Sequence, residues 1–199
     1  MNSLLFEPWI GPEYGQSKYG RLLIVGESHY FLRPEYDYLN YTKKVIGGLG
    51  NSKEEDNNFY IKVGKIFKPD NYLDIWPKVA FANAIQYPYQ QSRADILPEH
   101  YKTVEPAIRE YLERTRPSKM IVFSMGIWRD GLPPVITWGN PVENLEDPIF
   151  KRRSNVWKFE YKDGACYGIG IHHPSSIQPP FNPDEWRPLI EAFLKRQYE

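Results

Sequence analysis

Short apolar runs alternate with long helical patterns along this chain, and this alternation limits the possible folds more than any other feature. Arg21–Gly26 (RLLIVG) and Lys119–Ser124 (KMIVFS) are continuous apolar runs of the kind found in buried strands, and Val79–Ile85 is a third apolar segment with one polar interruption. Two segments with helical spacing separate these runs: Asn51–Phe67 and Pro98–Arg116. We therefore predict an α/β fold with a mostly parallel sheet that helices cover on both faces.

The C-terminal part of the chain reads as a hairpin followed by a helix. Val156–Tyr161 and Cys166–Ile171 have strand-like composition, and Asp163–Gly164 between them is a strong hairpin signal. Trp186–Gln197 repeats apolar residues at helical spacing and predicts an amphipathic closing helix. A length of 199 residues suits one domain, so we expect a single domain over residues 1–199.

Composition excludes several classes of protein. The 25 Lys and Arg residues balance the 25 Asp and Glu residues, so no whole-molecule field attracts nucleic acid or membrane. Cys166 is the single cysteine, which excludes internal disulfides and four-cysteine zinc or iron–sulfur sites. The longest apolar runs are too short to span a bilayer, and the N-terminus has no signal-peptide pattern. We expect a cytoplasmic monomer with no membrane partner.

Polar clusters follow three of the apolar runs. These clusters are Gly26–Tyr30 (GESHY), Phe81–Ala84 (FANA) and His172–Ser176 (HHPSS). Ligands of open α/β sheets bind at the carboxyl ends of the strands, so the fold predicts that the clusters meet in one crevice.

In these clusters the chain resembles the uracil-DNA glycosylase superfamily. Gly26–Tyr30 is loosely similar to the family's GQDPYH or GEAPG motif, and His173–Ser175 matches its HPS motif. Leu73–Gln86 contains the family's asparagine strand, and Arg116–Gly126 (RPSKMIVFSMG) resembles its "RP–strand–G" element. Together the motifs span roughly residues 21 to 177. The resemblance implies a three-layer α/β/α sandwich and a DNA glycosylase that needs no cofactor and no metal.

The resemblance also implies roles for individual residues. Glu27 positions or activates the attacking water, and His173 stabilises the charge that collects on the departing base. Asn83 reads the O4 and N3–H edge of uracil, and Phe59, with Phe67 as the alternative, stacks on the flipped base. Structural interpretations stay open beside these roles: Glu27 as a loop brace, and Asn83 and Phe59 as ordinary core residues.

The first motif departs from the family pattern at two positions. Ser28 stands where the GQDPYH form has its catalytic aspartate, and His29 replaces the proline of that motif. Tyr30 occupies the tyrosine position that blocks bases with a 5-substituent in the uracil-specific branch. Ser28 and Tyr30 are therefore predicted to contact the base, and His29 gives Tyr30 a different setting that opens the pocket to modified pyrimidines.

Two further groups of residues are predicted to contact single- or double-stranded DNA. Past the HPS motif the family inserts an apolar side chain into the base stack, and Ile177 stands there with Gln178 as its neighbour. The rest of the predicted DNA surface comprises Ser175, Ser176 and the basic triplet Lys151, Arg152 and Arg153. A rigid surface loop and a solvated basic face are the competing interpretations.

Other functions remain open at this stage. The substrate is uracil in repair or a modified pyrimidine, including a bulky base carried by invading phage DNA in an antiviral defence. A serine hydrolase using Ser28 and His173 is a rival enzyme class, because Gly26–Ser28 follows a strand as in a nucleophile elbow. A catalytically inactive nucleic-acid-binding member of the same fold is the rival outside enzymology.

Overall fold

One mixed sheet of seven strands organises the chain. The structure is a computed structural model that describes residues 4–51, 58–91, 96–132, 138–177 and 180–198. The strands are β1 Trp9–Ile10, β2 Leu22–Gly26, β3 Ala80–Asn83, β4 Lys119–Val122, β5 Gly139–Glu146, β6 Arg153–Tyr161 and β7 Gly164–Gly170. Their order across the sheet is β1-β3-β2-β4-β7-β6-β5.

The centre of the sheet is parallel and its flanks are antiparallel. The three pairings within β3-β2-β4-β7 are parallel. The other three, which bring in β1, β6 and β5, are antiparallel. The prediction of a mostly parallel sheet is therefore right only for the centre. Its flank differs because the predicted hairpin forms β6 and β7, and β5 adds a further antiparallel strand.

Four α-helices accompany the sheet in the described ranges: α1 Tyr41–Gly48, α2 Asn58–Phe67, α3 Val104–Thr115 and α4 Pro183–Lys195. Shorter 3-10 helices occupy Leu49–Asn51, Tyr72–Lys78 and Pro98–Thr103, and Ile127–Gly131 forms a π-helical turn. The predicted helix at Asn51–Phe67 is observed from Asn58 onward, and residues 52–57 lie outside the described ranges. The predicted helix at Pro98–Arg116 opens as a 3-10 helix, and Arg116 ends it in the left-handed conformation at φ 47° before Pro117.

Helices pack on both faces of the central strands. Leu22 and Ile24 of β2 belong to one core cluster together with residues of α1, α2 and α4. Leu23 and Val25 belong to the other cluster, together with residues of α3. Alternate residues of a strand point to opposite faces, so a strand covered on both faces must be apolar throughout. This burial explains the continuous apolar runs of the sequence.

The connections reverse direction at the centre of the sheet. The chain leaves β2 for β3 on one side, and later leaves β4 for strands on the other side. Ligands of open α/β sheets bind at such a switch point, outside the carboxyl ends of the strands. The fold therefore places the residues that follow β2, β3, β4 and β7 at one edge.

Candidate active site

A cleft of about 740 Å³ opens at the carboxyl ends of the parallel strands. A volume of this size lies within the ~300–1,000 Å³ typical of small-molecule sites. The predicted catalytic and base-binding residues all line it: Glu27, His173, Asn83, Tyr30, Phe59 and Ser28. The fold thus brings together residues that are up to 146 positions apart in the sequence, as Glu27 and His173 are.

Glu27 lies at the switch point, where hydroxyl groups hold both of its carboxylate oxygens. Glu27 is 2 % exposed. The backbone hydrogen bonds between β2 and β3 continue past it, because its backbone oxygen accepts from the Ile85 N–H at 2.9 Å. The Ser124 hydroxyl, just after β4, donates to Oε1 at 2.8 Å, and the Tyr30 hydroxyl donates to Oε2 at 3.1 Å. These contacts fix the direction of the carboxylate, which a group that orients a water molecule requires.

Asn83 presents a buried amide to the cleft. It ends β3 in register with Gly26, is 3 % exposed, and has no hydrogen bond to its side-chain amide from any residue in the described ranges. A buried amide normally finds partners within the protein. Gly26 makes room for it, because a Cβ at that position would lie 2.2 Å from Asn83 Oδ1. The arrangement leaves the amide's donor and acceptor groups available to a ligand.

His173 has a fixed tautomer. Its Nδ1 accepts a hydrogen bond from the backbone N–H of Ser175 at 3.1 Å. A ring nitrogen that accepts carries no proton, so the neutral ring has its proton on Nε2, which becomes a donor. Lys62 of α2 ties the same loop down by donating to the Pro174 carbonyl at 2.9 Å, and the Phe59 ring lies 5.4 Å from the imidazole.

The two adjacent histidines point to different neighbours. Strand alternation does not separate them, since β7 ends at Gly170, before either one. His172 instead packs on Trp186 of α4, with ring centroids 5.2 Å apart, while His173 lines the cleft. Burial, together with Arg152 and Arg129, lowers the pKa of His172.

The first motif is folded so that His29 is structural and Ser28 is not set up as a nucleophile. His29 is buried, its Nε2 lies 2.9 Å from Thr42 Oγ1 of α1, and burial lowers its pKa to about 3. Ser28 Oγ donates to the His29 carbonyl at 3.2 Å. A nucleophile elbow needs a helix directly after the serine, whereas the next helix begins at Tyr41. This local geometry disfavours the serine-hydrolase interpretation.

The predicted DNA-contact residues lie at the same edge but differ in exposure. Ser175 lines the cleft, Ser176 N–H donates to the His173 carbonyl at 2.8 Å, and Ile177 is 81 % exposed. Gln178 lies outside the described residues.

The basic triplet spans the end of the turn between β5 and β6 and the first residue of β6, and each member faces a carboxylate. Lys151 and Arg153 are exposed and share Glu146, at 3.9 and 2.7 Å. Arg152 pairs with Glu185 and covers the Trp186 ring at 5.2 Å. The turn stands at the cleft edge of the sheet because β6 runs antiparallel to β7, but a phosphate must compete with acids for these side chains.

Sequence reasoning missed several residues of the site and its surroundings. Ser124 follows β4 as Glu27 follows β2. The rule that ligands bind at the carboxyl ends of strands therefore applied to Ser124 as well, but it was not used there. Tyr36, Tyr41 and Lys44 line the outer part of the cleft, with the two tyrosine rings stacked 5.5 Å apart and the Lys44 ammonium 5.7 Å from Tyr36. They come from a loop and a short helix without a recognisable pattern.

Neither a metal centre nor a known relative helps to define the site. In the part of the chain that the structure describes, no three His, Cys, Asp or Glu residues are grouped to hold a metal ion. None of the described helices has the length and apolar character needed to cross a membrane. No known family model matches the chain, and no curated protein does.

Proposed function

We propose that this protein is a DNA glycosylase of the uracil-DNA glycosylase superfamily, with the three-layer α/β/α sandwich of that family. It acts as a cytoplasmic monomer, flips a nucleotide out of DNA and hydrolyses the bond between base and sugar. The observation that carries the proposal is the amide of Asn83, which is buried, without a partner among the described residues, and set in one cleft with Glu27 and His173. The edge of a flipped base offers a donor and an acceptor that can pair with the acceptor and donors of this amide.

The proposed reaction assigns one task to each side chain. Asn83 accepts from N3–H and donates to O4 of the flipped base, and Phe59 stacks on its ring. His173 donates its Nε2 proton in a hydrogen bond to O2, where the electron pair of the breaking C1′–N1 bond collects. Glu27 orients a water molecule toward C1′ and accepts the proton that this water loses. No cofactor or metal takes part.

The contacts of Tyr30 favour a modified pyrimidine as the alternative to plain uracil. Its hydroxyl is engaged with Glu27 Oε2 and its ring packs 5.6 Å from Tyr89, so it is drawn toward the wall of the cleft. The cleft, at about 740 Å³, is also larger than a single pyrimidine fills. A bulky base from phage DNA, excised in an antiviral defence, is therefore the second candidate substrate.

The test is base release from a panel of single strands and duplexes that carry different bases, scored as abasic sites. We expect wild-type protein to produce abasic sites from at least one uracil-type or modified pyrimidine substrate, and Glu27→Gln protein to produce far fewer. DNA binding without abasic sites on every substrate would favour an inactive nucleic-acid-binding protein. A fluorophosphonate adduct on Ser28 would favour the hydrolase.

The substitution Asn83→Asp tests the reading of the base within that panel. Aspartate offers only acceptors, which suit a 4-amino group better than O4. We expect the variant to lose about 2 kcal/mol or more of transition-state stabilisation on uracil-type bases, and to lose less or gain on 4-amino pyrimidines. Unchanged activity on every substrate would identify Asn83 as a core residue only.

A further inference from the structure

Phe31 displays its ring at the rim of the cleft. The side chain is 69 % exposed, yet it lines the cleft directly after the motif that carries Glu27 and Tyr30. Its ring makes no contact with another aromatic ring or a cation among the residues that the structure describes. Single exposed apolar side chains are common on protein surfaces, so the feature that distinguishes Phe31 is its place in the lining of the cleft.

The backbone around Phe31 is arranged to hold the ring outward. Its φ of 56° lies in the left-handed region, which bulky residues rarely adopt. The residues on either side are both anchored to Tyr89: the Tyr30 ring packs on the Tyr89 ring, and Leu32 N–H donates to the Tyr89 carbonyl at 2.8 Å. Leu32 itself is only 2 % exposed. Strain of this kind persists where the surroundings fix it, and it clusters at functional positions.

We propose that Phe31 stacks on the base next to the flipped nucleotide in the same DNA strand; this inference rests on the proposed function. A flipped nucleotide leaves its neighbours with open faces, and an aromatic ring stacks on any base. Ile177, the predicted wedge, lies on the loop after β7, and β7 itself is two strands, or about 10 Å, from β2 in the sheet. Phe31 and Ile177 thus lie on loops that follow different strands, and the proposal assigns each of them a different neighbour of the vacated position.

The test uses Phe31→Gly, because glycine adopts a φ of 56° without strain and the variant is expected to fold. The probe is an oligonucleotide with 5-iodouracil beside an abasic-site analogue, which crosslinks on irradiation to an aromatic ring stacked on it. Wild-type protein is expected to crosslink at Phe31, and Phe31→Gly is expected to lose the crosslink and bind the probe about tenfold more weakly. Phe31→Trp is expected to restore binding.

The control is Ile10→Ala, which also shortens an exposed apolar side chain. Ile10 pairs with Ala80 at the start of β3, at the opposite edge of the sheet from the cleft, so this variant is expected to bind like wild type. Wild-type binding and crosslinking by Phe31→Gly would overturn the stacking proposal and leave the glycosylase proposal standing. A crosslink at Phe31 in a protein that releases no base would overturn the glycosylase alone. Failure of wild-type protein to bind the probe would overturn both.

Discussion

At the scale of single residues, Gly26 leaves the space that the side-chain amide of Asn83 occupies. This amide is the group that we propose reads the base. An alanine Cβ there would lie 2.2 Å from Asn83 Oδ1 and 3.2 Å from both the Phe59 and the Phe81 rings. We expect Gly26→Ala to displace the amide and to slow base release about tenfold to a hundredfold, the usual cost of a lost hydrogen bond to a buried partner. Single-turnover base release measures the effect.

Gly47→Ala is the matched control for that substitution. A Cβ at Gly47 meets nothing within 4 Å, and the residue lies in α1, where alanine is the better helix former. We expect this variant to keep its activity and to unfold at a slightly higher temperature. A wild-type rate in Gly26→Ala would show that the position of the Asn83 amide does not matter for the reaction.

In the proposed reaction the chemistry depends on Glu27. Glutamine keeps the shape and the oxygen that accepts from Ser124, but it removes the negative charge. We expect Glu27→Gln to lower single-turnover base release by about two to four orders of magnitude while DNA binding is retained. Ser124→Ala, which removes one of the two orienting hydroxyl groups, is expected to have a smaller effect. Full activity of Glu27→Gln would reduce Glu27 to a loop brace.

At the scale of elements, prediction succeeded where burial leaves a mark in the sequence. β2 and β4 are continuous apolar runs because both of their faces are covered, and the hairpin of β6 and β7 was confirmed around Asp163, which adopts the φ of 65° that the turn needs. β5 was missed because this edge strand, GNPVENLE, is mostly exposed and carries a proline.

The candidate site was predictable to the same extent. Glu27 and His173 follow strands and Asn83 ends one, and parallel strands bring their carboxyl ends together whatever their separation in sequence. Tyr41 and Lys44 come from α1, a short helix with two glycines in its last turn and no clear apolar stripe, so no periodic signal pointed to them. Tertiary packing alone brings them to the cleft.

The turn between β5 and β6 provides a test of the proposed DNA-contact surface. Lys151 and Arg153 are exposed and share Glu146, whereas Arg152 pairs with Glu185 beside Trp186 and is left unchanged. We expect Lys151→Glu with Arg153→Glu to weaken DNA association and to reduce the salt slope of binding by up to about 2, since each phosphate contact contributes about 0.9.

The matched control for the turn reverses Lys195 and Arg196. Both are exposed and paired with glutamates, as the turn residues are. They lie beside the amino end of β4, because the Lys119 ammonium donates to the Leu194 and Arg196 carbonyls, and so they stand at the edge opposite the cleft. We expect the salt slope to stay unchanged in this control. The same slope in both double variants would place the DNA surface elsewhere.

At the scale of the whole molecule, the stability of the fold and the shape of the site depend on the same buried groups. His29 joins the first motif to α1 through Thr42, and its ring packs edge-on against Phe6 and Tyr41, 4.9 and 5.0 Å away. These contacts need a neutral imidazole in an apolar setting. Protonation of His29 therefore opposes folding of the whole domain and of the cleft with it.

The last prediction follows from that coupling. Burial lowers the pKa of His29 from 6.5 to about 3, so between these values the unfolded chain binds a proton that the folded chain does not. The free energy of unfolding therefore falls as pH falls through this window, by up to about 1.4 kcal/mol per pH unit, or roughly 2 kcal/mol between pH 7 and pH 5. His29→Gln keeps a hydrogen-bonding group for Thr42 but does not titrate, so we expect urea unfolding of this variant to lose that much of the wild-type pH dependence. His172→Gln, at a half-buried position, is expected to remove less. Identical pH dependence in wild type and His29→Gln would mean that His29 is not buried in the neutral form.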